Sequence, residues 1–132
     1  MRASAIIIKN DKVLLIHRKK EGLEYWVFPG GSIEEGEEKE EAIKREVFEE
    51  TSLKVINCHY SFDYRDDKGE YHPVFLCEVG NGKPRIAEGT PEAKKQSEED
   101  WYHPEWITLK KAVGINVYPD EGMRILKNLL EK

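Results

Sequence analysis

From Gly31 to Leu53 the chain reads GSIEEGEEKEEAIKREVFEETSL. Glu38 to Thr51 contains neither Gly nor Pro and is rich in helix formers. Ala42, Ile43 and Val47 add a modest apolar stripe, so the stretch predicts a helix with one face on a core. On that helix Glu46, Glu49 and Glu50 stand at i, i+3 and i+4, which puts three carboxylates on one face within a single turn. Like charges so placed repel by about 0.2–0.5 kcal/mol per pair. A hard divalent cation relieves that repulsion, and Mg²⁺ takes oxygen ligands while keeping several waters and a substrate phosphate. The plain alternative is an acidic face held in water.

The flanks favour the metal. Pro29-Gly30-Gly31 precedes the acidic segment and brings bare backbone near it, where carbonyl and N–H groups can approach a ligand. Arg45 adjoins Glu46 and lies one turn before Glu49, so its fork can hold a carboxylate, and Glu37 can fold back as a further partner. Upstream, Ala3 to Lys9 reads as a buried strand, Asn10-Asp11-Lys12 as a turn, Val13 to His17 as a second strand and Arg18 to Glu24 as a charged loop. Tyr25 to Phe28 is a short aromatic strand that stops at the glycines, which no regular element is expected to include. Downstream, Leu53 to Arg65 and Glu70 to Val79 predict a long hairpin. Gly80 to Asp100 is a polar loop, Trp106 to Leu109 a short strand, and Pro119 opens a C-terminal helix with Met123, Leu126 and Leu130 on one face. Intermixed strands and helices predict a mixed α/β sandwich, with residues 1–132 as one domain.

Composition narrows the classes of function. The net charge is −5, yet Glu34 to Glu50 alone holds nine glutamates against Lys39, Lys44 and Arg45, a balance of −6. The remaining residues sum to +1, so one segment supplies the acidity. A sequence-blind binder of polyanions would gather Lys and Arg instead, so no nucleic-acid polymer is expected as partner. No apolar run approaches the roughly 20 residues of a membrane span. Two cysteines, Cys58 and Cys77, make no disulfide framework and point to a reducing cytoplasm.

Gly31, five residues, Glu37, seven residues, then Arg45-Glu46-Val47-Phe48-Glu49-Glu50-Thr51-Ser52-Leu53 resembles the Nudix box, G-x5-E-x7-R-E-U-x-E-E-x-G-U. Eight of nine specified positions agree, with Ser52 standing where the family has glycine. Tyr25 to Gly30 is similar to the family's lead-in strand. The resemblance implies an α/β/α Nudix sandwich with a mixed sheet. It also implies metal-dependent hydrolysis of a phosphoanhydride in a nucleoside diphosphate linked to another moiety. By the same resemblance Glu46, Glu49 and Glu50, with the Gly30 carbonyl, correspond to ligands of Mg²⁺, for which Mn²⁺ can substitute. Arg45 and Glu37 match the pair that orients those carboxylates. A carboxylate must take the proton of the attacking water, and Glu46, Glu98 and Glu99 are the candidates. The rival reading is a catalytically silent Nudix-like sensor of nucleotides.

Further residues carry smaller expectations. Arg18, Lys19 and Lys20 close the second strand and are placed to meet substrate phosphates, Arg18 best of the three, with a solvated loop as the plain alternative. Gly31 is expected at the substrate too, and Trp101-Tyr102-His103-Pro104 either caps the nucleotide or clamps the sheet. Trp26 and Phe28 are expected in the core. Tyr71 follows Leu53 by 18 residues, a spacing associated with dinucleoside polyphosphate enzymes. The proline associated with ADP-ribose enzymes is absent, Lys68 and Gly69 standing there. Asp63 to Gly69 is superficially a calcium loop, but Arg65 occupies a position that needs oxygen, so a turn is expected. The four histidines show no ligand spacing. The expected partner is a small nucleotide, with a second copy of the chain left open. No P-loop, dinucleotide-binding glycine fingerprint or nucleophile elbow occurs in the sequence.

Overall fold

The computed structural model describes residues 1–85, 100–115 and 117–130. Its strands are β1 (Arg2–Lys9), β2 (Lys12–Lys20), β3 (Leu23–Val27), β4 (Gly30–Ser32), β5 (Val55–Arg65), β6 (Tyr71–Val79), β7 (Asp100–Thr108) and β8 (Val117–Tyr118). The helices are α1 (Lys39–Thr51), the short α2 (Leu109–Ala112) and α3 (Asp120–Leu130). Among the described residues no helix is long and apolar enough to cross a membrane.

The unbroken apolar run of β1 is explained by burial on both faces. β1 pairs parallel with β6, antiparallel with β4, and through Ile8 and Lys9 antiparallel with β2. It therefore joins the set β5-β6-β1-β4 to a second set in which β2 is flanked by β3 and β7, with β8 beyond β3. Side chains alternate across β1. Ala3, Ala5 and Ile7 face α1, packing with Leu14, Phe75, Ile43 and Val47. Ile6 points the other way, into a core with Val13, Leu15, Phe28, Leu109, Ala112 and Leu126 from the C-terminal side. Helices thus cover the curled mixed sheet from both sides, the expected α/β/α arrangement.

Three expectations need correction. Arg18 to Glu24 is not a loop: β2 runs on to Lys20 and β3 begins at Leu23. Glu21 and Gly22 both adopt positive φ (52° and 82°), the twist of a two-residue hairpin turn. Gly30 and Gly31 do lie in a regular element, because β4 pairs with Ala3 and Ser4. A Cβ on Gly30 would sit 2.0 Å from the Ala3 carbonyl oxygen, so the missing side chain is what permits the pairing. The last long strand starts at Asp100 rather than Trp106, pairing along all of β2. Pro119 lies just ahead of α3, whose Leu126 is fully buried, while the Leu130 side chain lies outside the description. The predicted hairpin is present with its turn at Asp66 to Gly69. Cys58 and Cys77 face each other across it with sulfurs 3.8 Å apart, both free. Burial raises both thiol pKa values, so they behave as small hydrophobes.

Candidate active site

α1 places its glutamates against the ordinary rules of helix stability. Its first turn carries Glu40 and Glu41, which suits the positive end of the helix dipole. Its last turn carries Glu49 and Glu50 and no basic residue, which does not. Glu46 and Glu50 also share the buried face with Ala42, Ile43 and Val47, and are only 8% and 6% exposed. Violations of local preference with no packing benefit mark functional sites.

Arg45 organises the group. Nε and Nη2 donate to the two carboxylate oxygens of Glu37 at 2.8 and 3.0 Å, a two-point clamp. Nη1 donates to Glu46 at 2.8 Å and to Glu49 at 3.5 Å, and Nη2 also reaches the Ser32 carbonyl at 3.0 Å and stands 3.8 Å from Glu34. One guanidinium is therefore shared among four carboxylates. Chiefly through the Glu37 hydrogen bond, its own pKa is pushed above an already high range. That same Arg45 hydrogen bond, with a second from the Glu34 amide, lowers Glu37 from an ordinary value near 4.5 to about 2. A depressed carboxylate pKa means that the clamp stabilises the fold above pH 4.5 and is lost as pH falls toward 2. The gap in melting temperature between the wild type and Glu37→Gln is accordingly expected to hold steady above pH 5 and to close between pH 4.5 and 2.

β4 supplies the opposite wall. The Gly30 N–H donates to Glu50 Oε1 at 2.9 Å in a buried bond that ties the helix to the strand. A Cβ on Gly31 would lie 2.3 Å from the Glu46 carboxyl carbon, so that carboxylate occupies the space the glycine leaves free. The donors assembled here are carboxylate and carbonyl oxygens, the set a hard divalent cation prefers. Among the described residues, the acids and histidines whose ligand atoms all lie within 4.8 Å of one another are Asp66, Glu70 and His72, not the three glutamates. Asp66 accepts from the Lys68 and Glu70 amides of the β5–β6 turn, and Glu70 and His72 have partners at the N-terminal end of the chain. His72 Nδ1 accepts from the Arg2 amide at 2.9 Å, Nε2 lies 2.7 Å from Asp66, and Glu70 meets the Met1 amino group at 2.6 Å. Asp66 is held below its usual pKa range by His72 first and the Glu70 amide second.

Of the remaining expectations, Arg18 lines a cavity of about 200 Å³ together with Gly30 and Glu50. Lys20, Arg2, Tyr25 and Tyr102 line it too; the sequence points to Lys20 and Tyr102 beside a nucleotide but gives no such sign for Arg2 or Tyr25. Tyr71 is exposed at the start of β6 near Arg65 and does not line this cavity. Trp26 and Phe28 belong to the second core, and Trp26 stacks on His17 at 4.0 Å. Glu98 and Glu99 lie outside the described residues.

Ser52 ends α1 in the left-handed conformation, φ 63° and ψ 9°, its N–H bonded to the Phe48 carbonyl at 2.8 Å. The helix cap is thus formed without displacement, at a conformational cost of about 1–2 kcal/mol for a non-glycine residue. The Ser52 hydroxyl recovers part of this by donating to the Arg85 carbonyl at 2.7 Å. Ser52→Gly is expected to stabilise the fold by about 1 kcal/mol and leave turnover within twofold, as thermal melts and initial rates would report.

A model of the NUDIX domain matches residues 1–123. An ADP-ribose pyrophosphatase of Methanocaldococcus jannaschii is 38% identical over 95 residues, covering 67% of this chain and 56% of that protein. An 8-oxo-dGTP diphosphatase of Buchnera aphidicola is 39% identical over 57 residues, covering 42% of this chain and 44% of that one. The chain thus spans about half the length of these curated relatives. A solved MutT structure, from work on Aliivibrio salmonicida and Vibrio cholerae, superposes with a TM-score of 0.71 at 20% identity, covering 99% of this chain and 95% of that one, a likeness of fold. With the family model spanning nearly the whole sequence and the glutamate helix braced by Arg45 against β4, the chain belongs to the Nudix hydrolase family.

Proposed function

We propose that this protein is a metal-dependent pyrophosphohydrolase that cleaves a phosphoanhydride in a nucleoside diphosphate linked to another moiety. The observation that carries the reading is the Arg45 clamp, which holds Glu37 at two points and reaches Glu46 and Glu49 on the face that also bears Glu50. Nudix enzymes generally use divalent metals; Glu46, Glu49, Glu50 and the Gly30 carbonyl are the oxygens that would hold Mg²⁺ or Mn²⁺ here. Once bound, such an ion supplies charge neutralisation at phosphate and acidifies water.

The chain's own residues do the rest. Arg45 and Glu37 fix the carboxylate face, so little reorganisation is needed when charge develops on phosphorus oxygens. Of the candidate bases, Glu46 is held by Arg45, accepting from Nη1 at 2.8 Å. Arg18 lies beside Glu50 and meets substrate phosphate. The relatives named above act on different nucleotides, so the exact substrate is decided by the rest of the pocket.

The test is a panel of nucleoside triphosphates, dinucleoside polyphosphates and nucleotide sugars with coupled phosphate detection under Mg²⁺ titration. Release should require metal, and Glu49→Gln should lower kcat on the order of 10²–10³-fold. Binding without release at every metal concentration would favour a nucleotide sensor.

A further inference from the structure

Resting on that hydrolase reading, we infer that the cavity beside Glu50 is a subsite for an additional phosphate, and that the preferred substrate carries at least three consecutive phosphates rather than a diphosphate joined to an uncharged sugar. The cavity holds about 200 Å³, below the roughly 300–1,000 Å³ of pockets that enclose drug-sized ligands. A compact anion fits that space better than a nucleoside. Gly30 and Glu50, the proposed metal ligands, are part of its lining, so a group inside it would adjoin a phosphate held at the metal.

Its charge has the sign this requires. Arg2, Arg18 and Lys20 line it against one carboxylate, Glu50. Arg18 is 6% exposed and stands directly across from Tyr25 on β3 and Tyr102 on β7. Its guanidinium carbon lies 3.8 Å over the Tyr102 ring, and Nη1 donates to the carbonyls of Lys19 and Trp101. The cation is therefore oriented before any ligand arrives, which lowers the entropy lost on binding. The period of two along β2 puts Lys20 on the same face as Arg18. Arg2 comes from β1, its backbone N–H held by His72.

A second basic cavity, about 270 Å³ at Lys9 and Lys12, is not lined by the proposed metal ligands, and Lys12→Met is the variant that reports on it. Two others carry the wrong chemistry for phosphate. The larger groove, about 850 Å³, is walled by Glu37, Glu38, Glu40 and Glu41 as well as Lys39 and Lys44. The cavity at Ile6, Ile8 and Leu76 has no Lys or Arg in its lining and includes Glu78. A third phosphate brings negative charge to a lining of three cations and one carboxylate, whereas a neutral sugar brings none. Selection between the two classes follows from that difference.

The test has two parts, both in magnesium buffer. Calorimetric titration measures binding of inorganic tripolyphosphate to the wild type, to Lys20→Met and to Lys12→Met, the last an exposed lysine at the far end of β2. Steady-state kinetics then measure the ratio of kcat/KM for a nucleoside triphosphate to that for a nucleoside diphosphate sugar. The wild type should favour the triphosphate at least fivefold. Lys20→Met should weaken tripolyphosphate binding and lower the ratio, each at least fivefold, while Lys12→Met changes neither. A wild type that favours the sugar, or a Lys20→Met variant that loses less than fivefold in tripolyphosphate binding, overturns the subsite and leaves the hydrolase reading intact. Hydrolysis of no substrate at all would remove the hydrolase reading, and the tripolyphosphate titration would then decide the subsite by itself.

Discussion

Arg45→Met is expected to lower kcat about 100-fold and to raise the Mg²⁺ concentration for half-maximal activity 10- to 100-fold. The guanidinium is the shared partner of Glu37, Glu46 and Glu49. Its removal leaves Glu37 and Glu46, whose side chains are 13% and 10% exposed, without that counter-charge. Losing one partner of a buried pair costs about 3–5 kcal/mol. With Arg45 itself 27% exposed, roughly 2 kcal/mol is the appropriate expectation after screening. Arg45→Lys restores a positive charge but not the two-point fork on Glu37, so it should recover stability more than metal affinity. Melting curves and metal titrations on the two variants separate these effects. An unchanged half-saturating metal concentration in Arg45→Met would show that the clamp does not position the carboxylates.

Gly30→Ala should cost about 3 kcal/mol or more, seen as a fall in melting temperature of roughly 10 °C. The new Cβ would meet the Ala3 carbonyl oxygen at 2.0 Å and the Ser4 Cα at 2.9 Å. Both are backbone atoms of a central strand, and neither can swing aside as a side chain would. Moving β4 away also breaks the Gly30 bond to Glu50, so activity should fall with stability. Gly36→Ala is the matched comparison: its φ of +80° strains any side chain, but nothing lies within 4 Å. It should cost only about 1 kcal/mol. A Gly30→Ala protein that melts within 2–3 °C of wild type, well short of the roughly 10 °C expected, would contradict the close approach of β4 to β1.

The helix carrying the glutamates was legible because its signals agree: no breakers, an apolar stripe and a charge pattern that helix propensity does not ask for. β1 was legible because Ile6, Ile7 and Ile8 suit a strand covered on both faces. The turn at Glu21-Gly22 was not, since the charged residues around it resemble a loop until β7 is seen to pair along β2. β4 escaped for a related reason. Glycines ordinarily weaken strands, and only the 2.0 Å approach to Ala3 shows why two of them form one here. Of the site, the Arg45–Glu37 clamp followed from spacing and resemblance together. Of the basic cavity, the cations that close β2 were legible as phosphate-facing and Tyr102 as a candidate cap, but Arg2 and Tyr25 were not, because the lining comes from strands distributed across the chain and its meeting depends on register.

That β1 lies between β6 and β4 also bears on how the chain reaches its native state. Its parallel partner in β6 is about seventy residues away, Ser4 opposite Val74. The central ladder therefore closes a long loop before it gains its pairing, a step whose entropy grows with loop length. Non-local pairing of this kind slows folding relative to helical bundles. During synthesis, β1 must wait unpaired on that side until more than half of the chain has emerged, with its isoleucines exposed to chaperones and to other chains.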